Sequence, residues 1–271
     1  LKYKEMDRER QMKAFAHLLD IMDELREKCP WDREQTTESL RPLTIEETYE
    51  LSEAILASDD KNIAKELGDI LLHIVFYAKI GEEKGLFDIV DVIDMLCTKL
   101  VYRHPHVFSE TKVADAGEVI QNWEQLKTKE KDGNKTVLSG VPAHLPPLVK
   151  AYRMQDKARA VGFDWDKKED VWDKVKEEIG EFQSELQHLD TSNPDSVNKA
   201  QGELGDLLFS LVNASRLYDL NPDTALETTC LKFKNRFTYL ELAARKDGLT
   251  FADMNLEQMD KYWDEAKEKG L

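Results

Sequence analysis

An acidic pattern that occurs twice constrains this chain more than any other feature. Glu46-Glu47-Thr48-Tyr49-Glu50 in the first half answers to Glu177-Glu178-Ile179-Gly180-Glu181 in the second, and Glu66-Leu67-Gly68-Asp69 answers to Glu203-Leu204-Gly205-Asp206. The flanks repeat in the same order. Trp31-Asp32 matches Trp165-Asp166, Lys99 and Arg103 match Lys232 and Arg236, and the segment from Trp123 to Lys127 matches that from Trp263 to Lys267. The displacement between matching residues stays nearly constant along the chain. With 54 Asp and Glu among 271 residues, one such pattern arises easily by chance. Two copies, each with the same tryptophan and basic flanks, indicate duplication of a module.

The modules read as helical. Ile63, Leu67, Ile70, Leu71, Ile74 and Val75 recur at a three-to-four-residue rhythm, as do Leu204, Leu207, Leu208, Leu211 and Val212, and each set predicts one buried helix face. Ser58-Asp59-Asp60 and Thr191-Ser192-Asn193-Pro194 supply the helix starts ahead of them. No stretch alternates as a strand does, so the fold class expected is all-α, with tandem helical-bundle modules. Residues 128–148 combine a charged run with Gly140, Pro142, Pro146 and Pro147, which cannot continue a helix. The expected organisation is therefore a first module over 1–127, a linker over 128–148 and a second module over 149–271.

Residues three apart on a helix project from one face. Glu178 with Glu181, and Glu203 with Asp206, would thus form two forked carboxylate pairs that converge if their helices are antiparallel neighbours; Glu47, Glu50, Glu66 and Asp69 repeat the arrangement. Two unit charges ~4 Å apart repel by about 4 kcal/mol at an effective dielectric of ~20. A hard divalent cation relieves that repulsion, and an all-oxygen donor set favours Mg²⁺, with Mn²⁺ as a substitute, over zinc or copper. Gly205, between the paired acids, is expected to let the helices approach closely. Lys232 and Arg236, one turn apart, suit phosphate oxygens, and Trp263 suits either a base or the edge of the core. A di-iron site needs two ExxH units, and only Glu185-Leu186-Gln187-His188 matches. His104-Pro105-His106 reads as a helix stop.

The formal charge of −16 excludes partnership with nucleic-acid polymers or anionic membranes unless cations gather locally. No apolar run approaches the roughly 20 residues of a membrane span. The N-terminal residues carry no apolar signal region, and Cys29, Cys97 and Cys230 are too widely spaced for a disulfide framework or a zinc site. A cytoplasmic protein is expected. The phosphate-binding loops and nucleophile elbows of other enzyme classes do not occur.

At these residues the chain resembles the MazG family of nucleoside triphosphate pyrophosphohydrolases, from Cys29-Pro30-Trp31-Asp32 through Arg103-His104-Pro105-His106-Val107-Phe108 and Val161-Gly162-Phe163-Asp164-Trp165 to Trp263. The resemblance implies hydrolysis of NTPs and dNTPs to the monophosphate and pyrophosphate, and assembly as a homodimer. It implies Mg²⁺ held by Glu178, Glu181, Glu203 and Asp206, and a nucleotide site lined by Lys174, Glu177, Lys232, Arg236 and Trp263. The first half keeps Glu47, Glu50, Glu66 and Asp69 with Lys99 and Arg103, and the second half is expected to be the main catalytic one. Mechanistically, Glu177 would take a proton from the attacking water, and Lys232 and Arg236 would stabilise the departing pyrophosphate. Two rival readings are a regulatory protein that binds nucleotides without turnover, and a pyrophosphatase narrowed to dUTP or dCTP.

Overall fold

A computed structural model describes residues 8–113, 115, 117–119, 122–123, 126 and 136–271. Lys127 and residues 128–135 of the expected linker lie outside the described residues. The described residues form helices joined by turns, with no strand among them. The chain divides into two compact units, Leu1–Thr111 and Lys112–Leu271.

In the first unit α1 (Arg8–Lys28) and the short α2 (Pro30–Glu34) precede a hairpin of α3 (Thr37–Leu56) and α4 (Asp60–Glu83), followed by α5 (Ile89–Arg103) and α6 (Pro105–Phe108). The Asp59 carboxylate accepts from the Asn62 N–H and fixes the start of α4. Pro105 halts α5, and the ring of His104 bonds back to the Leu100 carbonyl, so the His-Pro-His run is a helix stop. The core gathers Met22, Leu40, Val75, Phe76 and Ile80. Arg26 clamps the unit: its guanidinium pairs with both carboxylate oxygens of Glu83 at 2.9 and 2.5 Å and also donates to the carbonyls of Asp32 and Gln35.

In the second unit residues 136–146 run through turns and bends into α7 (Pro147–Arg159). A loop and a short 3₁₀ turn lead to a second hairpin, α8 (Val171–Gln187) against α9 (Pro194–Leu217), and then to α10 (Pro222–Lys246) and α11 (Leu256–Glu268). Asn193 caps α9 by accepting from the Asp195 N–H, with Pro194 at the first helical position. The α8–α9 pair has the most extensive helix packing in the unit, and α10 packs on α11 around Leu240, Ala244 and Met254.

Two sequence expectations need correction. Leu67, Leu71 and Ile74 on α4, and Leu204, Leu208 and Leu211 on α9, are exposed rather than a buried face. The buried side of α4 carries Glu66, His73, Phe76 and Ile80 instead. Leu67 and Ile74 follow the buried Glu66 and His73 by one position, and Leu71 follows the half-buried Ile70, each about 100° around the axis. A hairpin covers one side of each helix, and these helices are apolar over a wider arc. Nor does Gly205 serve close helix approach: a Cβ there would meet nothing within 4 Å.

Candidate active site

Each hairpin brings its acids together. Glu178 from α8 and Glu203 and Asp206 from α9 present carboxylate oxygens within 4.8 Å of one another, and Glu47, Glu66 and Asp69 do the same across α3 and α4. The periodicity explains why. Glu178 shares the inward side of α8 with Val171 and Val175, so the packing that buries those valines also buries the acid. Glu178 is 5% exposed, its Oε2 has no hydrogen-bond partner, and the same holds for Glu66 and its Oε2. A buried, unsatisfied carboxylate oxygen costs about 1–3 kcal/mol or more, and a cation at the centre of the cluster would satisfy it. The donor set, oxygen only, fits a hard divalent ion.

The fourth acids stand further out. Glu181 and Glu50 fall outside the two close trios, yet both act on them electrostatically. The Glu203 carboxyl titrates above the ordinary carboxylate range, first through burial and then through Glu181, Asp206 and Glu178. Glu47 is raised in the same way by burial, then by Asp69, Glu50 and Glu66.

An ammonium group already answers each cluster, from different positions. Lys174, one turn before Glu178, reaches Glu178 at 2.7 Å and Glu177 at 2.9 Å, and these bonds raise its pKa, that to Glu178 most. In the first half Leu43 occupies the position matching Lys174 and packs into the core. There Lys65 supplies the charge from α4, 2.9 Å from Glu66, 3.7 Å from Asp69 and 3.9 Å from Glu50.

A cavity of about 740 Å³ adjoins the second cluster, with Lys174, Glu178 and Asp206 in its wall. The loop Val161–Trp165 forms another part of the wall and is fastened to α9. Arg216 is 6% exposed, and its guanidinium donates to the two Asp164 oxygens at 3.0 and 2.5 Å. Burial pushes the Asp164 carboxyl up, but Arg216 and the Trp165 N–H together hold it below the usual range.

Lys232, Arg236 and Trp263 line no part of this cavity. They lie on α10 and α11, where the Arg236 guanidinium sits 5.8 Å from the Trp263 ring centroid and its Nε donates to the Leu271 carbonyl. Trp263 packs against the Leu240 cluster and Phe233. Lys99 and Arg103 lie at the C-terminal end of α5.

Two hairpins with matching acid trios are a duplicated domain, and sequence comparison identifies that domain. The MazG nucleotide pyrophosphohydrolase domain matches residues 35–108 and again 167–241. The chain belongs to the MazG family. Among its relatives, the nucleoside triphosphate pyrophosphohydrolase/pyrophosphatase MazG of Thermotoga maritima is 42% identical over 93% of this chain and 95% of its own length. A nucleoside triphosphate pyrophosphohydrolase of Escherichia coli K12 is 38% identical over 96% of this chain and 99% of its own. The uncharacterized protein YabN of Bacillus subtilis is 46% identical over 94% of this chain, which spans 52% of that longer protein. Both MazG segments contain an acid trio. Gln155, Phe163 and Asp164 of the cavity precede the second segment, and the only sequence signal for that wall was the Val161–Trp165 motif. Asn213 and Arg216 gave no signal, because the acid repeat ends before them.

Proposed function

We propose that the chain is a divalent-metal-dependent nucleoside triphosphate pyrophosphohydrolase acting through the α8–α9 hairpin, with Mg²⁺ as the cofactor and Mn²⁺ as a substitute. We place modules over 1–127 and 149–271 with a linker over 128–148, bounds that rest on the charged, Gly- and Pro-bearing composition of the linker. The observation that carries the proposal is the buried Glu178, its Oε2 unpartnered, in a trio of acids beside a cavity large enough for a nucleotide. Glu178, Glu203 and Asp206 hold the cation, with Glu181 as an outer fourth carboxylate. When bound, the cation supplies positive charge to phosphate oxygens and acidity to a water molecule.

The chain's own groups do the rest. Lys174, held between Glu177 and Glu178, offers an ammonium to the triphosphate at the mouth of the cluster. Glu177, more exposed than Glu178, takes the proton of the attacking water on the oxygen that Lys174 leaves open. The new bond forms from that water oxygen to the α-phosphorus, and the bond to the bridging oxygen of the β-phosphate breaks, releasing pyrophosphate. Lys232, Arg236 and Trp263 stand on α10 and α11 outside the cavity wall. We have them complete the nucleotide site from there, Lys232 and Arg236 stabilising the departing pyrophosphate and the Trp263 ring lying against the Arg236 guanidinium. The exposed leucines of α4 and α9 support assembly as a homodimer. The relatives' names support nucleoside triphosphates as the substrate class, and we extend this to house-cleaning of nucleotide pools in the cytoplasm.

Turnover of each NTP and dNTP in ¹⁸O-labelled water with Mg²⁺ tests this reading. The expected products are a nucleoside monophosphate carrying the label and unlabelled pyrophosphate. Label in pyrophosphate, or release of orthophosphate, refutes attack at the α-phosphorus.

A further inference from the structure

Resting on the reading of the acid trios as cation sites, we propose that Lys65 is the resident cation of the first trio. A divalent ion enters there only by displacing that ammonium, so the first trio is a low-affinity site that fills after the second. The two trios have matching acids but receive their ammonium groups from opposite arms of the hairpin. In the second half Lys174 on α8 reaches Glu178 at 2.7 Å and, outside the trio, Glu177 at 2.9 Å. Among the described residues no lysine or arginine pairs with Glu203 or Asp206, so the two acids of α9 stay open to an ion. In the first half the two acids of α4 are the ones engaged. Lys65 Nζ lies 2.9 Å from Glu66, 3.7 Å from Asp69 and 3.9 Å from Glu50 on α3. One ammonium thus faces two trio members and the outer fourth acid, and a divalent ion brought to those oxygens meets a positive charge at contact range, where the repulsion is large.

Two positions of the repeat carry this exchange. The Glu46–Glu177 match puts Leu43 where the second half has Lys174, and the Glu66–Glu203 match puts Gly202 where the first half has Lys65. Each half therefore keeps one lysine beside its acids, on a different helix. The first trio is not closed by its lysine. Glu66 is 5% exposed, and its Oε2 has no partner although Lys65 donates to Oε1, so the buried end of the cluster still lacks a positive group. The Lys65 side chain is itself 60% exposed, a hydrated ammonium on a flexible stem that can swing into water. Displacement, not exclusion, is the consequence.

Titration of the full chain with Mn²⁺, followed by the paramagnetic resonance signal of the free ion, counts the sites without requiring turnover. The wild type is expected to hold one ion tightly, and Glu178→Ala/Glu203→Ala to lose that ion and keep only weak binding at the first trio. Adding Lys65→Ala to the double variant should tighten the remaining site at least tenfold, and the gain should vanish with Glu47→Ala. Lys65→Arg should leave it weak. Alanine is the strongest helix former, so α4 survives the change. The reverse graft, Gly202→Lys in the wild type, stands where a Cβ meets nothing within 4 Å and should weaken the tight site at least tenfold. Two equally tight sites in the wild type, or a first trio indifferent to Lys65→Ala, overturns the proposal. If the wild type holds no ion tightly but Lys65→Ala still creates a site that needs Glu47, the reading of the second trio falls and Lys65 stands as the resident cation.

Discussion

At the scale of single residues, the site is a set of charges that the fold forces together. Glu203 titrates high because burial, Glu181, Asp206 and Glu178 all penalise its charged form. A carboxyl raised on folding favours the folded state below its unfolded pKa and loses that contribution as pH rises through the folded value. At neutral pH, without metal, Glu203 therefore works against the fold. Glu203→Gln is expected to raise the melting temperature of the metal-free protein at pH 7.5, to raise it less at pH 5, and to abolish most of the increase that Mg²⁺ gives the wild type. Differential scanning calorimetry at the two pH values reads all three, and an unchanged Mg²⁺ response would contradict the assignment. The Asp164–Arg216 pair predicts the opposite sign. Asp164→Ala leaves the Arg216 guanidinium buried without its partner and should cost about 3 kcal/mol in denaturant unfolding; a change under about 1 kcal/mol would show that Arg216 finds water or Asn213 sufficient.

At the scale of elements, both hairpins follow from cap, period and turn, and these were legible. Asp59 and Asn193 start α4 and α9 where the sequence signals lie, and the three-residue spacing of the acids puts a trio inside each hairpin. What could not be read was which side of each helix faces inward. Leu67 and Leu208 look like core residues by period alone, but the side carrying Glu66 or Ser210 is the one buried. The role of Gly205 is hidden in the sequence for a related reason, since a glycine between acids fits both close packing and an open face. Its surroundings are open, so Gly205→Ala should stabilise α9 by roughly 0.5–1 kcal/mol through helix propensity. Urea midpoints test this, and a destabilisation would reveal a neighbour pressing on that face. Gln155 and Asn213 were illegible because they are single uncharged amides on α7 and α9 without a repeat partner. Only the packing shows that one has an unsatisfied oxygen and both line the cavity.

At the scale of the whole chain, duplication has produced two unequal halves. Both keep an acid trio, but Leu43 and Phe76 stand in the first half where Lys174 and Asn213 stand in the second, and Lys65 brings its ammonium into the first trio from another direction. No described helix is long and apolar enough to cross a membrane. The exposed leucines of α4 and α9 are expected to be covered by a second copy, so Leu208→Asp should shift the molecular mass measured by light scattering from dimer to monomer; a mass unaffected by the change would place the interface elsewhere. The unequal halves bear on the central claim, that triphosphate cleavage depends on a cation held by the α8–α9 trio. Product analysis of two double variants on one dNTP with Mg²⁺ tests it most directly. The account predicts that Glu47→Ala/Glu66→Ala still releases monophosphate and pyrophosphate at a rate close to the wild type, and that Glu178→Ala/Glu203→Ala releases neither while keeping its helical circular dichroism. Activity retained by the second variant and lost by the first would contradict it.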